Sequence, residues 1–163
     1  MTRLIECVPN FSEGRDLGVV RQITDEIERV PGVKLLHVDP GKSTNRTVVT
    51  FAGEPEPVVE AAFRAIKLAA TLIDMRRHQG EHPRMGATDV CPLVPISGVS
   101  MDEAARYATE LARRVGAELG IPVYLYEHAQ PKIDRKSRSN RSTANDDHLI
   151  LSLQSADPSA GQS

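Results

Sequence analysis

Between Asp74 and Gly86 the chain reads DMRRHQGEHPRMG, a segment crowded with histidine, arginine and carboxylate side chains. An imidazole titrates near neutrality, so it can take and return a proton at working pH, as general acid–base chemistry requires. His82 stands directly before Pro83, and a residue in that position is driven toward extended backbone. Its ring is therefore presented on a stiff support. A second chemistry competes for the same residues. His78-Gln79-Gly80-Glu81-His82 fits the H-x-x-E-H pattern of inverted zinc peptidases. That pattern needs a helix placing both imidazoles on one face, and a third protein ligand. Gly80 inside the motif and Pro83 just after it oppose such a helix, and no downstream carboxylate helix offers the third ligand. No metal is expected. The plain alternative is a solvated loop shaped by its glycines and proline.

Two other loops carry small polar residues, PNFSEG (Pro9–Gly14) and DPGKSTNR (Asp39–Arg46). The Gly41-Lys42-Ser43-Thr44 run invites a phosphate-loop reading, but the G-x-x-x-x-G-K-S/T spacing is absent and a strand follows instead of a helix. A hairpin turn with Asp39 and Asn45 bonding local backbone is the simpler account. Asp39 closes a strand, where a carboxylate could orient an imidazole. His37 alternates with apolar neighbours and reads as a packed or surface residue, while His128 and His148 follow no pattern.

These loops hang on a regular alternation of elements. Leu4–Val8 is a short apolar strand closed by Pro9-Asn10, and Asn10–Gly14 is rich in turn formers. Val20, Ile23, Ile27 and Val30 mark an amphipathic helix over Asp16–Val30. Val33–Val38 and Arg46–Ala52 read as strands of an antiparallel hairpin around a dense turn at Asp39–Asn45, the second alternating Thr47, Val49 and Phe51 against Val48, Thr50 and Ala52. Pro55–Ile73 is a helix with Val59, Ala62, Phe63, Ile66, Ala69, Ala70 and Ile73 on its apolar face. Asp89–Ile96 is a strand. Ser100 caps a third helix whose stripe is Met101, Ala104, Ala108, Leu111, Val115 and Leu119, and Gly120 ends it before a strand at Pro122–Tyr126. Strand, helix, strand, strand, helix, strand is the ferredoxin-like βαββαβ order. The expected fold is an α+β sandwich with one added helix and strand, its helices on one face of a mixed sheet.

Composition narrows the function classes. Twenty basic against twenty-two acidic side chains leave no cationic footprint for nucleic acid, and no apolar run is long enough to span a membrane. Two cysteines, Cys7 and Cys91, are too few for a disulfide framework and read as buried thiols of a reducing compartment, so a cytoplasmic protein is expected. The core domain is expected over residues 1–127. Residues 128–163 read as an irregular, flexible extension, with a basic arm PKIDRKSRSNRS that lacks aromatics for base stacking. Leu149–Leu153 reads as a weak strand or an apolar stub.

ECVPNFSEG (Glu6–Gly14), DPGKSTNRT (Asp39–Thr47) and above all LIDMRRHQGEHPRMGATDVCPLVP (Leu72–Pro95) resemble the N-terminal subdomain of glutamate formiminotransferase, the folate-dependent half of formiminotransferase-cyclodeaminase. The similarity runs from about residue 2 to Glu127. It implies a ferredoxin-like fold and an enzyme that moves the formimino group of N-formimino-L-glutamate to N5 of tetrahydrofolate, in histidine degradation feeding one-carbon metabolism. Tetrahydrofolate is then a co-substrate, and no metal is implied. The family's catalytic histidine falls on His82 and an assisting acid on Asp39. Both substrates carry carboxylates, for which Arg46, Arg76, Arg77 and Arg84 are the candidate cationic partners. Asn10 and Asn45 are further candidates for lining the site. In the family the transferase is built of two subdomains with folate between them, and no second subdomain is recognisable here. The missing half would come from a partner chain or from a homodimer. The alternative is a non-catalytic, folate-binding or regulatory paralogue.

Overall fold

The computed structural model describes residues 2–77, 86–127 and 149–153. These form an α+β domain with one seven-stranded sheet and three principal helices. The strands are β1 (Leu4–Cys7), β2 (Asn10–Phe11), β3 (Val33–Gly41), β4 (Arg46–Gly53), β5 (Thr88–Ser97), β6 (Val123–Glu127) and β7 (Leu149–Leu153). The helices are α1 (Leu17–Glu28), α2 (Pro55–Leu72) and α3 (Met101–Arg114).

Helix ends follow local chemistry. Asp16 caps α1, its Oδ1 accepting the Gly18 and Val19 N–H groups at 3.0 and 3.3 Å. Pro55 opens α2, where its missing N–H costs nothing. Ser100 Oγ accepts the Glu103 N–H at 3.1 Å and caps α3, with Asp102 and Glu103 at the positive end of the helix dipole and Arg113 and Arg114 at the other. A π-helical turn at Val115–Leu119 continues α3, and Gly120 ends it at φ 67°.

Across the sheet, β3 pairs with β4, β4 with both β1 and β2, and these in turn with β5, every pairing antiparallel. β1 and β2 are two pieces of one path, interrupted at Val8-Pro9. The ladder bridges the break: the Val8 N–H donates to the Pro92 carbonyl and the Val49 N–H to the Pro9 carbonyl, each at 3.0 Å. Beyond β5 the sheet turns parallel, with β7 between β5 and β6.

All three helices cover one face, α1 against α2 and α2 against α3. Along β4, Thr47, Val49 and Phe51 are buried beneath them while Arg46, Val48, Thr50 and Ala52 on the other face are only half-buried. Ile5, Cys7, Phe11, Leu93 and Leu151 join Val49 and Phe51 in a core closed by Ile23, Ile27, Val58, Ile66 and Leu111 of the helices. Cys7 and Cys91 are free buried thiols with Sγ atoms 3.4 Å apart, and burial holds the Cys7 thiol well above its usual range.

Several sequence expectations change. Asn10-Phe11, expected in a loop, is strand. The turn expected over Asp39–Asn45 shrinks, because β3 runs on to Gly41 and the reversal is made by residues 42–45. β3 is an edge strand, so Pro40 needs no ladder donor. Asn45 takes the left-handed φ of 50° that closes the turn, its N–H reaching the Lys42 carbonyl at 3.2 Å. On α2, Ala70 is exposed, while Val58, Ala61 and Ala65 are buried, because the helix is flanked by both α1 and α3. Leu149–Leu153, read from sequence as a weak strand or an apolar stub within the extension, is a strand whose Leu151 is fully buried. Its stability comes from parallel pairing on both sides.

Candidate functional site

One end of the sheet collects the polar motifs. Residues paired across an antiparallel ladder share a face. Asp39 pairs with Val48, Val48 with Asn10, and Asn10 with Val90, so these four line up across the sheet. Arg46 lies two residues from Val48 and shares its side. This is the face the helices leave open. Asn10 is buried there, Arg46 is half-buried and Asp39 is exposed.

Asn10 and Arg46 touch. Asn10 Oδ1 accepts Arg46 Nε–H at 2.9 Å and Nη2–H at 2.6 Å, and Asn10 Nδ2 donates to the Val8 carbonyl at 3.4 Å. Asn45 does a different job. Its Oδ1 accepts the Gly14 N–H at 2.8 Å, tying the NFSEG segment to the β3–β4 turn. The Thr47 hydroxyl donates to the Glu13 carbonyl and reinforces the tie. Gly14 is required here, because a Cβ would meet the Gly41 carbonyl oxygen at 2.2 Å and the Arg46 nitrogen at 2.6 Å.

Ser12 makes the third connection. Its hydroxyl donates to the Gly86 carbonyl at 2.6 Å, and its backbone N–H donates to the Ala87 carbonyl at 2.8 Å. Gly86 and Ala87 follow directly on the histidine-bearing segment. The first motif is thereby bonded to the other two. Sequence reasoning passed over Ser12, Gly14 and Thr47. Their small size beside a strand end was visible, but their partners lie far along the chain.

The remaining candidates divide. Arg76 is exposed in a single 3-10 turn, Met75–Arg77, and is engaged by its neighbour Asp74, with Nε to Oδ1 at 3.0 Å and Nη2 to Oδ2 at 3.2 Å. Hydrogen bonding to that carboxylate raises its pKa further. Arg77 ends the same turn, and its side chain lies outside the described residues, as do His82, Arg84 and the His78–His82 motif. The structure thus brings Asn10 and Arg46 together, sets Asp39 on the same face, and holds Arg76 in a local ion pair. Among the described residues no group of three or more His, Cys, Asp or Glu could hold a metal ion, and no helix is long and apolar enough to cross a membrane.

The class these features define is an α+β subdomain with a half-covered sheet and a polar cluster at one end of its open face. The chain belongs to the family described as the formiminotransferase domain, N-terminal subdomain, which matches residues 4–154. It is 55% identical over 137 residues to the formimidoyltransferase-cyclodeaminase of Sus scrofa, covering 84% of this chain and 25% of that protein. It is 52% identical to the glutamate formimidoyltransferase of Thermoplasma acidophilum, covering 81% of this chain and 44% of the other. The glutamate formimidoyltransferase of Streptococcus pyogenes serotype M1 is 43% identical, with 84% and 46% covered. The chain therefore spans less than half the length of these curated relatives.

Proposed function

We propose that this chain supplies the N-terminal half of a cytoplasmic glutamate formimidoyltransferase, with tetrahydrofolate as co-substrate. The observation that carries the reading is the bonding of three separate motifs at one sheet end, through Asn10–Arg46, Gly14–Asn45 and Ser12–Gly86, in a member of this family. In the reaction, N5 of tetrahydrofolate attacks the formimino carbon of N-formimino-L-glutamate. A C–N bond forms, a tetrahedral centre results, and N5 gives up its proton. His82 takes that proton and returns it to the glutamate nitrogen as the second C–N bond breaks, leaving 5-formiminotetrahydrofolate and glutamate. Asp39 assists His82, and the arginines Arg46, Arg76, Arg77 and Arg84 hold substrate carboxylates, with Asn45 shaping the loop beside them. No metal takes part in this scheme.

The fold reading that goes with it is ferredoxin-like. The order β3-β4-β1/β2-β5, antiparallel throughout, with α1 and α2 as the two crossovers, supports it. The open face is where the second half of the transferase, or a second copy of this chain, would close the folate site. Positioning of two substrates between such halves accounts for roughly 7–11 kcal/mol of barrier lowering.

The test is a transfer assay on the purified chain with formiminoglutamate and tetrahydrofolate, alone and with the C-terminal half of a relative added. Product that disappears in His82→Ala supports the reading. No product under either condition, from chain shown to be folded, refutes catalysis and leaves the folate-binding paralogue.

A further inference from the structure

We infer that Asn10 is a positioning residue, not a substrate contact: its neutral amide aims Arg46 across the open sheet face and leaves the guanidinium charge free for a substrate carboxylate. The inference rests on the transferase reading only for the identity of that carboxylate.

The Asn10 side chain has little left to offer a ligand. It is buried, its oxygen already receives both Arg46 N–H groups, and its amide nitrogen is turned to the Val8 carbonyl. Arginine has five N–H donors in a rigid fork. Two go to Asn10, and the terminal edge formed by Nη1 and Nη2 is the edge that binds a carboxylate through two parallel bonds. Arginine is almost never fully buried without a partner, and Arg46 is half-buried. Among the described residues Arg46 makes no ion pair, and Asp39, on the same face across Val48, is not within ion-pair reach.

The backbone beneath Arg46 is equally fixed. Gly14 lies against its nitrogen and carbonyl, Asn45 closes the turn before it, and Thr47 is bonded to Glu13. The fork is therefore oriented before a ligand arrives, and little ordering remains to oppose binding. An aspartate at position 10 would have the same shape and accept the same two bonds, with its second oxygen facing the Val8 carbonyl to which the asparagine amide donates at 3.4 Å. It would also neutralise Arg46. The charge-assisted bonds to Arg46 would offset the lost Val8 contact, so a purely structural tie would tolerate that change, whereas a carboxylate receptor would be silenced.

The experiment measures binding of glutarate and of N-formimino-L-glutamate to the full chain by calorimetry, alongside thermal unfolding, for the wild type, Asn10→Asp and Arg46→Gln. The expected result is that Asn10→Asp stays within about 5 °C of the wild-type unfolding temperature, yet binds both ligands about 10- to 100-fold more weakly. Arg46→Gln, with the Asn10 amide in place, should lose binding to a similar degree and carries the test if Asn10→Asp fails to fold. Unchanged affinity in the variants overturns the inference, and so does a wild type that binds neither ligand. Arg46-dependent glutarate binding without formimino transfer would sink the transferase reading and leave this inference standing. Transfer with an unchanged KM in Asn10→Asp would do the reverse.

Discussion

Replacing Gly14 by alanine adds one methyl group to the molecule, and its cost can be worked from the geometry. The added Cβ would lie 2.2 Å from the Gly41 carbonyl oxygen, 2.6 Å from the Arg46 nitrogen and 2.9 Å from the Arg46 carbonyl oxygen. None of these is the end of a flexible side chain. Gly41 and Arg46 face each other in the β3–β4 ladder, so neither can retreat alone. Relief requires the NFSEG segment and the β3–β4 turn to part by about an ångström, which strains the 2.8 Å bond from the Gly14 N–H to Asn45 Oδ1. Overpacking of this kind costs about 1–3 kcal/mol, and a weakened buried hydrogen bond adds roughly 1. With a urea slope of about 2 kcal/mol per molar, the unfolding midpoint should fall by about 1–2 M. Gly116→Ala is the control. It sits in the π-helical turn after α3 with nothing within 4 Å of its Cβ and no left-handed φ, so alanine there should stabilise by about 0.4–1 kcal/mol. The assay is urea unfolding of both variants followed by far-UV circular dichroism. A Gly14→Ala midpoint equal to that of the wild type, with the slope unchanged, would refute the steric reasoning.

Two further perturbations probe the frame. Leu151→Ala should cost about 2–5 kcal/mol, because Leu151 is fully buried on the helix-covered face between β5 and β6; a loss below 1 kcal/mol in the same unfolding assay would argue that β7 adds little to the core. Glu60 accepts from Arg114 Nη1 at 2.8 Å and Arg64 Nε at 2.9 Å, and these bonds, Arg114's first, lower its pKa. A carboxylate with a lowered folded-state pKa contributes stability above its unfolded pKa and loses it as pH falls through the folded value. Glu60→Gln should therefore cost about 0.5–1 kcal/mol at neutral pH, after allowance for a partly exposed pair, and nothing in strong acid. A difference from the wild type that does not shrink on acidification would count against the ion pair.

The elements that sequence resolved are those governed by local periodicity. Val20, Ile23 and Ile27 face one way on any helix and are buried in α1, which ends at Glu28, two residues before the expected end at Val30. Thr47, Val49 and Phe51 alternate as a strand facing a core must. Ala70 defeats the same logic because neighbouring helices decide how wide the buried face of α2 is. Leu149–Leu153 could be read only as a weak strand or an apolar stub, because its partners, Val90–Leu93 and Val123–Glu127, lie far back in the chain. At the candidate site, chemistry and resemblance pointed to His82, Asp39 and the arginines, and of these the structure describes the side chains of Asp39, Arg46 and Arg76. The Asn10–Arg46 contact was not, since a residue assigned to a loop carries no ladder register from which a neighbour can be found.

Several irregularities meet at one end of the sheet, while others lie elsewhere, at the Leu4/Ile5 and Leu35/His37 register shifts and where Gly53 is pressed against the Gly32 carbonyl. Pro9 breaks the strand path between β1 and β2. The pairing of β2 with β5 slips so that Asn10 meets Val90 and Phe11 meets Thr88, leaving Asp89 as an extra residue. Asn45 holds a left-handed φ, and Gly14 is pressed against the backbone of β3 and β4. All four lie at the same end of the sheet as Asn10 and Arg46. Each forfeits regular pairing or conformational ease. A bulge or break turns side chains away from the directions a regular pleat allows. Here the result is a buried amide under a half-buried guanidinium on the face the helices leave open. The irregular backbone at this end is thus what seats the Asn10–Arg46 pair on the open face.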